Sequence, residues 1–176
     1  MSRWEAEIRY EEFRRVAREV ALHFVASMPA WHSDHEKQSV RLTGIDPTCL
    51  DAWDASWGDK MFDWRENDAH YKRHTDRFEV AIWSGPMLCG LCAGLSSRGP
   101  DNVTIHFLES MRPHNPLKGR VALLATEAAD RFAKAQGKQR VKIKNPLPGA
   151  IVVYERLRFV LAEPLGRVTY YARPVG

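Results

Sequence analysis

The chain has 176 residues, of which 44% are hydrophobic and 27% carry a charged side chain. This length is enough for one domain with a substantial core and short for two, and the composition excludes a disordered chain. The longest apolar runs, such as 150–153, are far shorter than the roughly 20 residues of a membrane-spanning helix. The net charge of +4 gives anionic ligands, such as phosphates or nucleic acid, a mildly favourable field.

The cysteine content and the first residues bear on the compartment. Three cysteines are too few for a disulfide framework in a chain of this size, which favours a reducing environment. Glu5 and Glu7 stand where a secretory signal would have an uninterrupted apolar segment. We therefore expect a cytoplasmic protein without a membrane span.

The first half of the chain is predicted to be mainly helical. Apolar positions recur at three- and four-residue spacing over Glu11–Met28 and predict an amphipathic helix that ends before Pro29. Asp46 and Pro47 are typical N-cap and first helical residues, so a second helix is expected from Pro47 to about Trp57. A third short helix is expected within residues 61–73.

The second half is predicted to form a mixed sheet. Three alternating or apolar runs separated by turns predict an antiparallel meander over 78–83, 87–95 and 103–108. The next elements are a helix that begins after Pro116 and ends at Gly137, a strand over Arg140–Lys144, a short helix over Ala150–Leu157, and final strands over Phe159–Ala162 and Val168–Ala172. A strand-helix-strand crossover makes parallel strands, so the fold class is a mixed-sheet α/β (α+β) domain spanning 1–176.

The turn between the third meander strand and the strongest predicted helix has phosphate-binding character. It consists of Leu117, Lys118, Gly119, Arg120 and Val121. Backbone N–H groups at a helix N-terminus point outward at the positive end of the helix dipole, and a glycine there lets a pyrophosphate approach closely. The alternative is a glycine that only eases a loop into a helix.

A second segment turns this local signal into a family resemblance. Downstream of the turn lies the segment Ala150-Ile151-Val152-Val153-Tyr154-Glu155-Arg156-Leu157-Arg158-Phe159. Together, residues 78–159 resemble the core of the GNAT superfamily of acetyl-CoA-dependent N-acetyltransferases. In that family a strand leads to a pyrophosphate-binding loop and helix, a parallel strand, and a short helix ending Tyr-x-x-x-Gly-Phe.

The resemblance implies roles for particular residues. The loop Leu117–Val121 and Asn145 would bind acetyl-CoA, the co-substrate, and Tyr154 would act as general acid towards the leaving thiolate. Glu109 is the candidate general base, and His106 is a lesser alternative that regular strand pairing would place on the opposite face. Without function, Tyr154 would be a core residue and Glu109 a solvated carboxylate at a strand end.

This sequence also departs from the family pattern. The loop lacks the first polar residue and the last small residue of Gln/Arg-x-x-Gly-x-Gly/Ala, and Arg158 replaces the glycine before Phe159. Asn145 lies two residues further from Tyr154 than is usual. These departures leave open an alternative, a non-catalytic binding protein on a GNAT scaffold that acts as an inhibitor or nucleic-acid-binding factor.

The implied activity is direct transfer of an acetyl group from acetyl-CoA to a primary amine in a ternary complex. Residues 1–75 would form the acceptor side, and residues 76–176 the sheet core with the acetyl-CoA site. The aromatic cluster of the first half is either an acceptor wall or core, and consists of Trp53, Trp57, Phe62 and Trp64. The amine could belong to a small molecule, a protein, or a charged tRNA or nucleobase, and a homodimer is left open.

Three further signals carry less weight. Cys89 and Cys92 would point to opposite faces of a regular strand, so we expect small buried hydrophobes rather than a metal pair. The pairs His32/His35 and His70/His74 lack the companions of a metal signature, and no metal site is expected. A basic stripe formed by Lys138, Arg140, Lys142 and Lys144 is either a solvated or edge-strand face or a contact for the CoA 3′-phosphate or nucleic acid, although it lacks interleaved aromatics.

Overall fold

The computed structural model describes residues 1–29, Trp31 and residues 34–176, with the side chain of His35 left aside. The helices are α1 (Arg3–Ala26), α2 (Asp34–Ser39), α3 (Pro47–Ser56), α4 (Trp64–Tyr71), α5 (Val121–Ala135) and α6 (Pro148–Arg156). The strands are β1 (Val40–Thr43), β2 (Arg77–Ser84), β3 (Met87–Ser96), β4 (Asn102–Ser110), β5 (Arg140–Lys144), β6 (Val160–Leu161) and β7 (Tyr170–Pro174).

The strands form one seven-stranded sheet in the order β1-β2-β3-β4-β5-β7-β6. Strands β4 and β5 pair in parallel through the crossover helix α5, and every other neighbouring pair is antiparallel. The predicted mixed sheet, its meander and the order of its last four strands and helices are therefore confirmed.

The five predicted helices are all present, and the described residues contain one further helix, α2. Helix α1 begins at Arg3 rather than Glu11, because Ser2 caps it through a capping box with Glu5. Helix α3 begins at Pro47 as predicted, with the Asp46 carboxylate accepting from the Cys49 N–H at 2.8 Å. In the described ranges no helix has both the length and the apolarity that a membrane span requires.

The two faces of the sheet are covered differently. On the face that we call the α5 face, α1 and α5 pack together over aliphatic and small residues of β2, β3, β4 and β5. On the opposite face, called the α4 face, α3 and α4 cover β2, β3 and β4 with an aromatic cluster that includes Trp53, Trp57, Trp64 and Tyr71. The apolar stripe of α5 lies fully within the α5-face core and consists of Val121, Leu124, Ala125, Ala128, Ala129 and Phe132.

Two irregularities in strand pairing change which way side chains point. The register of β2 and β3 shifts between Ile82 and Trp83, which leaves Cys89 as an extra residue in β3. The bulge places both Cys89 and Cys92 in the α5-face core, so the predicted opposite orientation of the two cysteines is wrong. The register of β3 and β4 shifts between Ala93 and Gly94, and His106 is the extra residue of β4.

Candidate functional site

The sheet opens between its two parallel strands. Strand β4 extends to Ser110, but it pairs with β5 only from Asn102 to Ile105, opposite Ile143. Beyond Ile105 the strand stays paired with β3, while Lys144 pairs with β7. The strands therefore diverge after Ile105, and the end of β4 has backbone groups on its β5 side with no strand partner.

The candidate phosphate loop lies at the α5-face side of this opening. Gly119 has φ +83°, a left-handed conformation, and a Cβ atom added to it would meet nothing within 4 Å. Helix α5 starts without a hydrogen bond from a capping side chain. Its first N–H groups and the open surface of Gly119 thus fit an anion at the helix N-terminus.

The loop is held in place by Asn115, which sequence reasoning missed. Its side-chain amide donates to the backbone oxygen of Cys89 at 2.8 Å, and its side-chain oxygen accepts from the Leu117 N–H at 2.8 Å. Asn115 thereby ties the loop to the bulge of β3. The dipeptide Asn115-Pro116 is a common turn signal and could have identified this residue.

The side chains of the loop residues have different surroundings. Leu117 and Val121 are buried in the α5-face core, so their side chains are not available to a ligand. The Leu117 N–H is bonded to Asn115, which leaves the Val121 N–H at the start of α5. The Arg120 guanidinium contacts the Glu36 carboxylate at 2.6 Å and stacks on the Trp31 ring with its carbon 4.7 Å from the centroid. Lys118 is exposed and is the loop cation that extends towards solvent. A cavity of about 310 Å³ borders this loop.

Tyr154 on α6 is buried in the α5-face core, with its ring 6.2 Å from that of Phe159. Burial, followed by the neighbouring Cys92, raises the pKa of its hydroxyl well above the usual value. Within the part of the chain that the structure describes, this hydroxyl has no hydrogen-bond partner. It is therefore a protonated donor across the physiological pH range.

Arg158, where the family pattern has a glycine, adopts a backbone conformation that glycine adopts without strain. Arg158 has φ +68°, a left-handed conformation that a non-glycine residue rarely adopts. Its N–H donates to the Glu155 oxygen at 2.9 Å, and the Phe159 N–H donates to the Tyr154 oxygen at 3.0 Å. The end of α6 thus keeps the turn that holds Tyr154, with an arginine in strain where a glycine would be relaxed.

Asn145 follows β5 at the other side of the opening. It has φ +44°, and both its backbone and its side chain bind Thr169: its N–H donates to the Thr169 oxygen at 2.7 Å, and its side-chain oxygen accepts from the Thr169 N–H at 2.9 Å. The residue is exposed and borders the cavity on the α4 face.

Glu109 is not a solvated carboxylate at a strand end. It is buried, with 3% of its surface exposed, and its two oxygens accept from the Met61 N–H at 2.6 Å, the Phe62 N–H at 3.3 Å and the Trp64 indole N–H at 2.8 Å. Three donors thus fix the segment that leads into α4. Proton transfer to this carboxylate would have to compete with these bonds.

His106 lies on the same side as Glu109, contrary to the prediction from regular pairing. Its Nδ1 lies 2.7 Å from the Tyr71 hydroxyl of α4, the helix whose Trp64 binds Glu109. The reason is the bulge at His106, which rotates the strand by one residue. Burial, with repulsion from Lys144, His70 and His74, lowers the pKa of His106 to about 4. The imidazole is therefore neutral at pH 7.

The basic stripe lies inside the sheet rather than at its edge. Strand β5 pairs with β4 on one side and β7 on the other, which corrects the edge-strand interpretation. Arg140 and Lys142 contact Asp101 at 2.8 and 3.4 Å, and hydrogen bonding from Arg140 lowers the pKa of Asp101 to about 2. An aromatic residue does accompany the stripe, from β7: the Lys142 amine lies 5.2 Å from the ring centroid of Tyr170.

The remaining sequence signals form no separate site in the described part of the chain. Cys49, Cys89 and Cys92 are free and buried. His70 and His74 lie with ring centroids 5.2 Å apart, and the described residues contain no group of three or more metal-ligating side chains. The pair His32/His35 falls outside the described residues, since His32 and the side chain of His35 are not covered.

Comparisons with known proteins bear on the fold. No protein-family model matches the chain, and no curated protein matches its sequence. Three solved structures are similar to it: the ribosomal-protein-S18-alanine N-acetyltransferase from Escherichia coli, Ard1 from Thermoplasma volcanium, and an aminoglycoside 6'-N-acetyltransferase complexed with coenzyme A.

The similarity is structural and extends over most of each chain. Identities are 15%, 14% and 11%, and TM-scores are 0.59, 0.57 and 0.59, in the same order. The matches cover 78%, 78% and 77% of this chain and 94%, 99% and 97% of the other chains. Together with the sheet order and the opening between β4 and β5, these matches show that the chain has the fold of the GNAT N-acetyltransferases.

Proposed function

We propose that this protein is an acetyl-CoA-dependent N-acetyltransferase that transfers the acetyl group directly to a primary amine. The observation that carries the proposal is the opening between β4 and β5, which has an uncapped helix N-terminus on one face and a cavity of about 650 Å³ on the other. Two reactants that enter from opposite faces would meet at the end of β4, where a single attack forms the product.

Several residues would hold the acetyl donor on the α5 face. Within the loop Leu117–Val121, the N–H groups of Leu117, Lys118 and Arg120 donate to loop oxygens. The N–H groups of Gly119 and of the first turn of α5 would therefore bind the pyrophosphate, and the exposed Lys118 would add a positive charge. The side-chain amide of Asn145 would bind the pantetheine arm. The donor supplies the thioester, and the buried free cysteines fit the reducing cytoplasm in which we place the reaction.

Tyr154 would act as the general acid. As the amine nitrogen bonds to the acetyl carbon, the carbon–sulfur bond breaks, and the Tyr154 hydroxyl would give its proton to the departing thiolate. The raised pKa of this hydroxyl keeps the proton available. Backbone N–H groups at the end of β4 would stabilise the negative charge that develops on the carbonyl oxygen.

The amine must lose a proton, and Glu109 is the candidate acceptor. Its position on the α4 face suits an acceptor that enters from that face, with a water molecule carrying the proton because three N–H groups occupy the carboxylate. His106 is the alternative, since its neutral ring borders the same cavity. In this arrangement α4 and the ends of β4 and β5 line the acceptor side, whereas α1 packs beside α5 on the donor side. Of residues 1–75, only the part after α1 would therefore serve the acceptor.

Calorimetric titration with acetyl-CoA tests the proposal. The variant Gly119→Glu should abolish micromolar binding, because a carboxylate at this position obstructs and repels the pyrophosphate. The matched control is Gly137→Glu, which also has a left-handed glycine with open space but lies at the other end of α5, and which should bind normally. Absence of binding to the unsubstituted protein would instead favour the non-catalytic scaffold.

A second measurement separates an enzyme from a binding protein. Tyr154→Phe removes only the hydroxyl, so an enzyme should lose turnover while its affinity for acetyl-CoA stays almost unchanged. Equal turnover in the variant and the unsubstituted protein would remove Tyr154 from the mechanism. A protein that binds acetyl-CoA but releases no CoA with any amine would point to the inhibitor or nucleic-acid-binding alternative.

A further inference from the structure

The cavity on the α4 face contains two charges that the described residues do not neutralise. It lies beside the opening of the sheet and has a volume of about 650 Å³. Its charged lining residues include Glu66 on α4 and Lys144 at the end of β5. Neither side chain forms an ion pair with another described residue, which distinguishes them from the paired charges around them.

Lys144 contrasts with the other cations of its strand. Arg140 and Lys142 both contact Asp101 and are thereby compensated. Lys144, the next residue on the same face, is half-buried beside His106 and adds to the repulsion that keeps the imidazole neutral. A half-buried ammonium without a carboxylate partner is a binding site for an anionic group.

The uncharged part of the lining includes aromatic rings. The rings of Phe62 and Phe107, with centroids 4.9 Å apart, form an aromatic wall suited to a cation or an apolar stem.

We propose that the acceptor is a primary amine that also carries an anionic group, a carboxylate or a phosphate. The exposed Glu66 attracts the protonated amine to the cavity, and the half-buried Lys144 binds the anion. This substrate class rests on the proposed acetyltransferase function. Opposite charges at two points of one cavity select such a ligand over amines that lack the anion.

The test uses matched pairs of amines, measured by calorimetry without acetyl-CoA. Phenylalanine is compared with phenylalaninamide, and phosphoethanolamine with ethanolamine, so the two pairs distinguish a carboxylate from a phosphate. The anionic member of at least one pair should bind about tenfold more tightly, the ratio expected for one additional ion pair of about 1.4 kcal/mol. Equal affinity within both pairs, or binding of neither member, would overturn the proposal.

Variants locate the effect. Lys144→Gln should remove the preference for the anionic member, whereas the control Lys142→Gln, on the same face but paired with Asp101, should retain it. Glu66→Gln should weaken both members of a pair equally. A preference that persists in Lys144→Gln contradicts the proposal.

The titration with acetyl-CoA is independent of these measurements. Normal binding of acetyl-CoA without discrimination among amines would therefore refute the substrate class and leave the proposed function standing. Discrimination among amines without acetyl-CoA binding would refute the proposed function and leave the cavity as a binding site for anionic amines, with no acetyl transfer.

Discussion

The two faces of the sheet are packed with different kinds of side chain. The α5 face is closed by small and aliphatic residues that let α5 lie close to β3: a Cβ atom added to Gly90 would come within 2.4 Å of a Val121 methyl. The α4 face is built from rings and anchored by polar groups, with the Glu109 carboxylate and the pair Tyr71–His106 among them.

This difference separates a face whose helix position is fixed by close packing from a face that contains a large cavity. Close packing of small residues fixes the position of α5 and thus of the loop at its N-terminus, which suits a ligand held by backbone groups. On the α4 face, buried hydrogen bonds to the Trp64 indole and the Tyr71 hydroxyl fix the positions of the rings. The larger of the two cavities beside the opening lies on this face and is lined by polar side chains, which suits a ligand held by side chains.

Among the variants proposed here, Glu109→Ala should lower the free energy of unfolding the most, because it removes an anchor of the α4 face. The change leaves three N–H donors without an acceptor, and a fully buried donor of this kind costs about 1–3 kcal/mol. Because the Met61 and Phe62 N–H groups are only part-buried and can reach water, we expect a loss of about 3–5 kcal/mol rather than the full sum of about 9 kcal/mol. Urea unfolding measures it, with the exposed Glu155→Ala on α6 as the control that should change little. A loss below 1 kcal/mol would show that the carboxylate does not hold the segment before α4.

Gly90→Ala should break the α5 face. The added methyl presses on Val121, the first residue of α5, and overpacking of this kind costs about 1–3 kcal/mol. Because Val121 adjoins the loop, affinity for acetyl-CoA should also fall. Gly99→Ala, where the new methyl meets nothing within 4 Å, should leave both stability and affinity unchanged. Equal behaviour of the two variants would contradict the close packing described here.

His106 should make the stability of the α4 face depend on pH. Its pKa is about 4 in the folded protein and about 6.5 in an unfolded chain, so the unfolded state binds more protons between these values. Its contribution is present above pH 6.5 and is lost as the pH falls towards 4. Between pH 7.5 and pH 5, the free energy of unfolding of His106→Gln should therefore fall by about 1–2 kcal/mol less than that of the unsubstituted protein. Urea unfolding at the two pH values measures the difference. Parallel losses would show that the histidine is not buried as a neutral ring.

Arg158→Gly should produce the smallest change and the opposite sign. Relief of the left-handed strain should stabilise the protein by about 0.5–1 kcal/mol, net of the added freedom of the unfolded chain. Arg156→Gly, within α6, should instead destabilise it by about 1 kcal/mol. Thermal unfolding distinguishes them, and a destabilised Arg158→Gly would mean that the arginine side chain makes a contribution larger than its backbone strain.

The sequence predicted the elements whose patterns are local. The apolar stripe of α5, the alternation of β5 and the Asp46-Pro47 start of α3 all follow from spacing and capping, and the structure confirms them. Strand β1 and helix α2 were missed, because four strand residues after a polar stretch give no period long enough to recognise. The regular apolar spacing begins only at Glu11, so it did not predict the start of α1 at Arg3, which depends on the Ser2 capping box with Glu5.

The geometry of the candidate site depended on contacts between distant residues. A bulge adds one residue to a strand without any change in apolar alternation, so neither the shared face of Cys89 and Cys92 nor that of His106 and Glu109 could be predicted. On α5, Glu127 pairs with Arg131 one turn away, whereas Asp130 is buried and binds Arg173 of β7 rather than Lys134, which also lies one turn away. Local spacing predicts neighbours on one helix and cannot rank them against partners brought by the fold.

We propose that the acetyl donor binds at the α5-face side of the opening. Amide chemical shifts recorded during an acetyl-CoA titration test this proposal most directly. We expect the shifts to change in residues 117–123 and in β4 beyond Ile105, and to stay unchanged in α3 and on the outer surface of the hairpin formed by β6 and β7. Shifts confined to that hairpin, or to the basic stripe around Arg140 and Lys142, would contradict it.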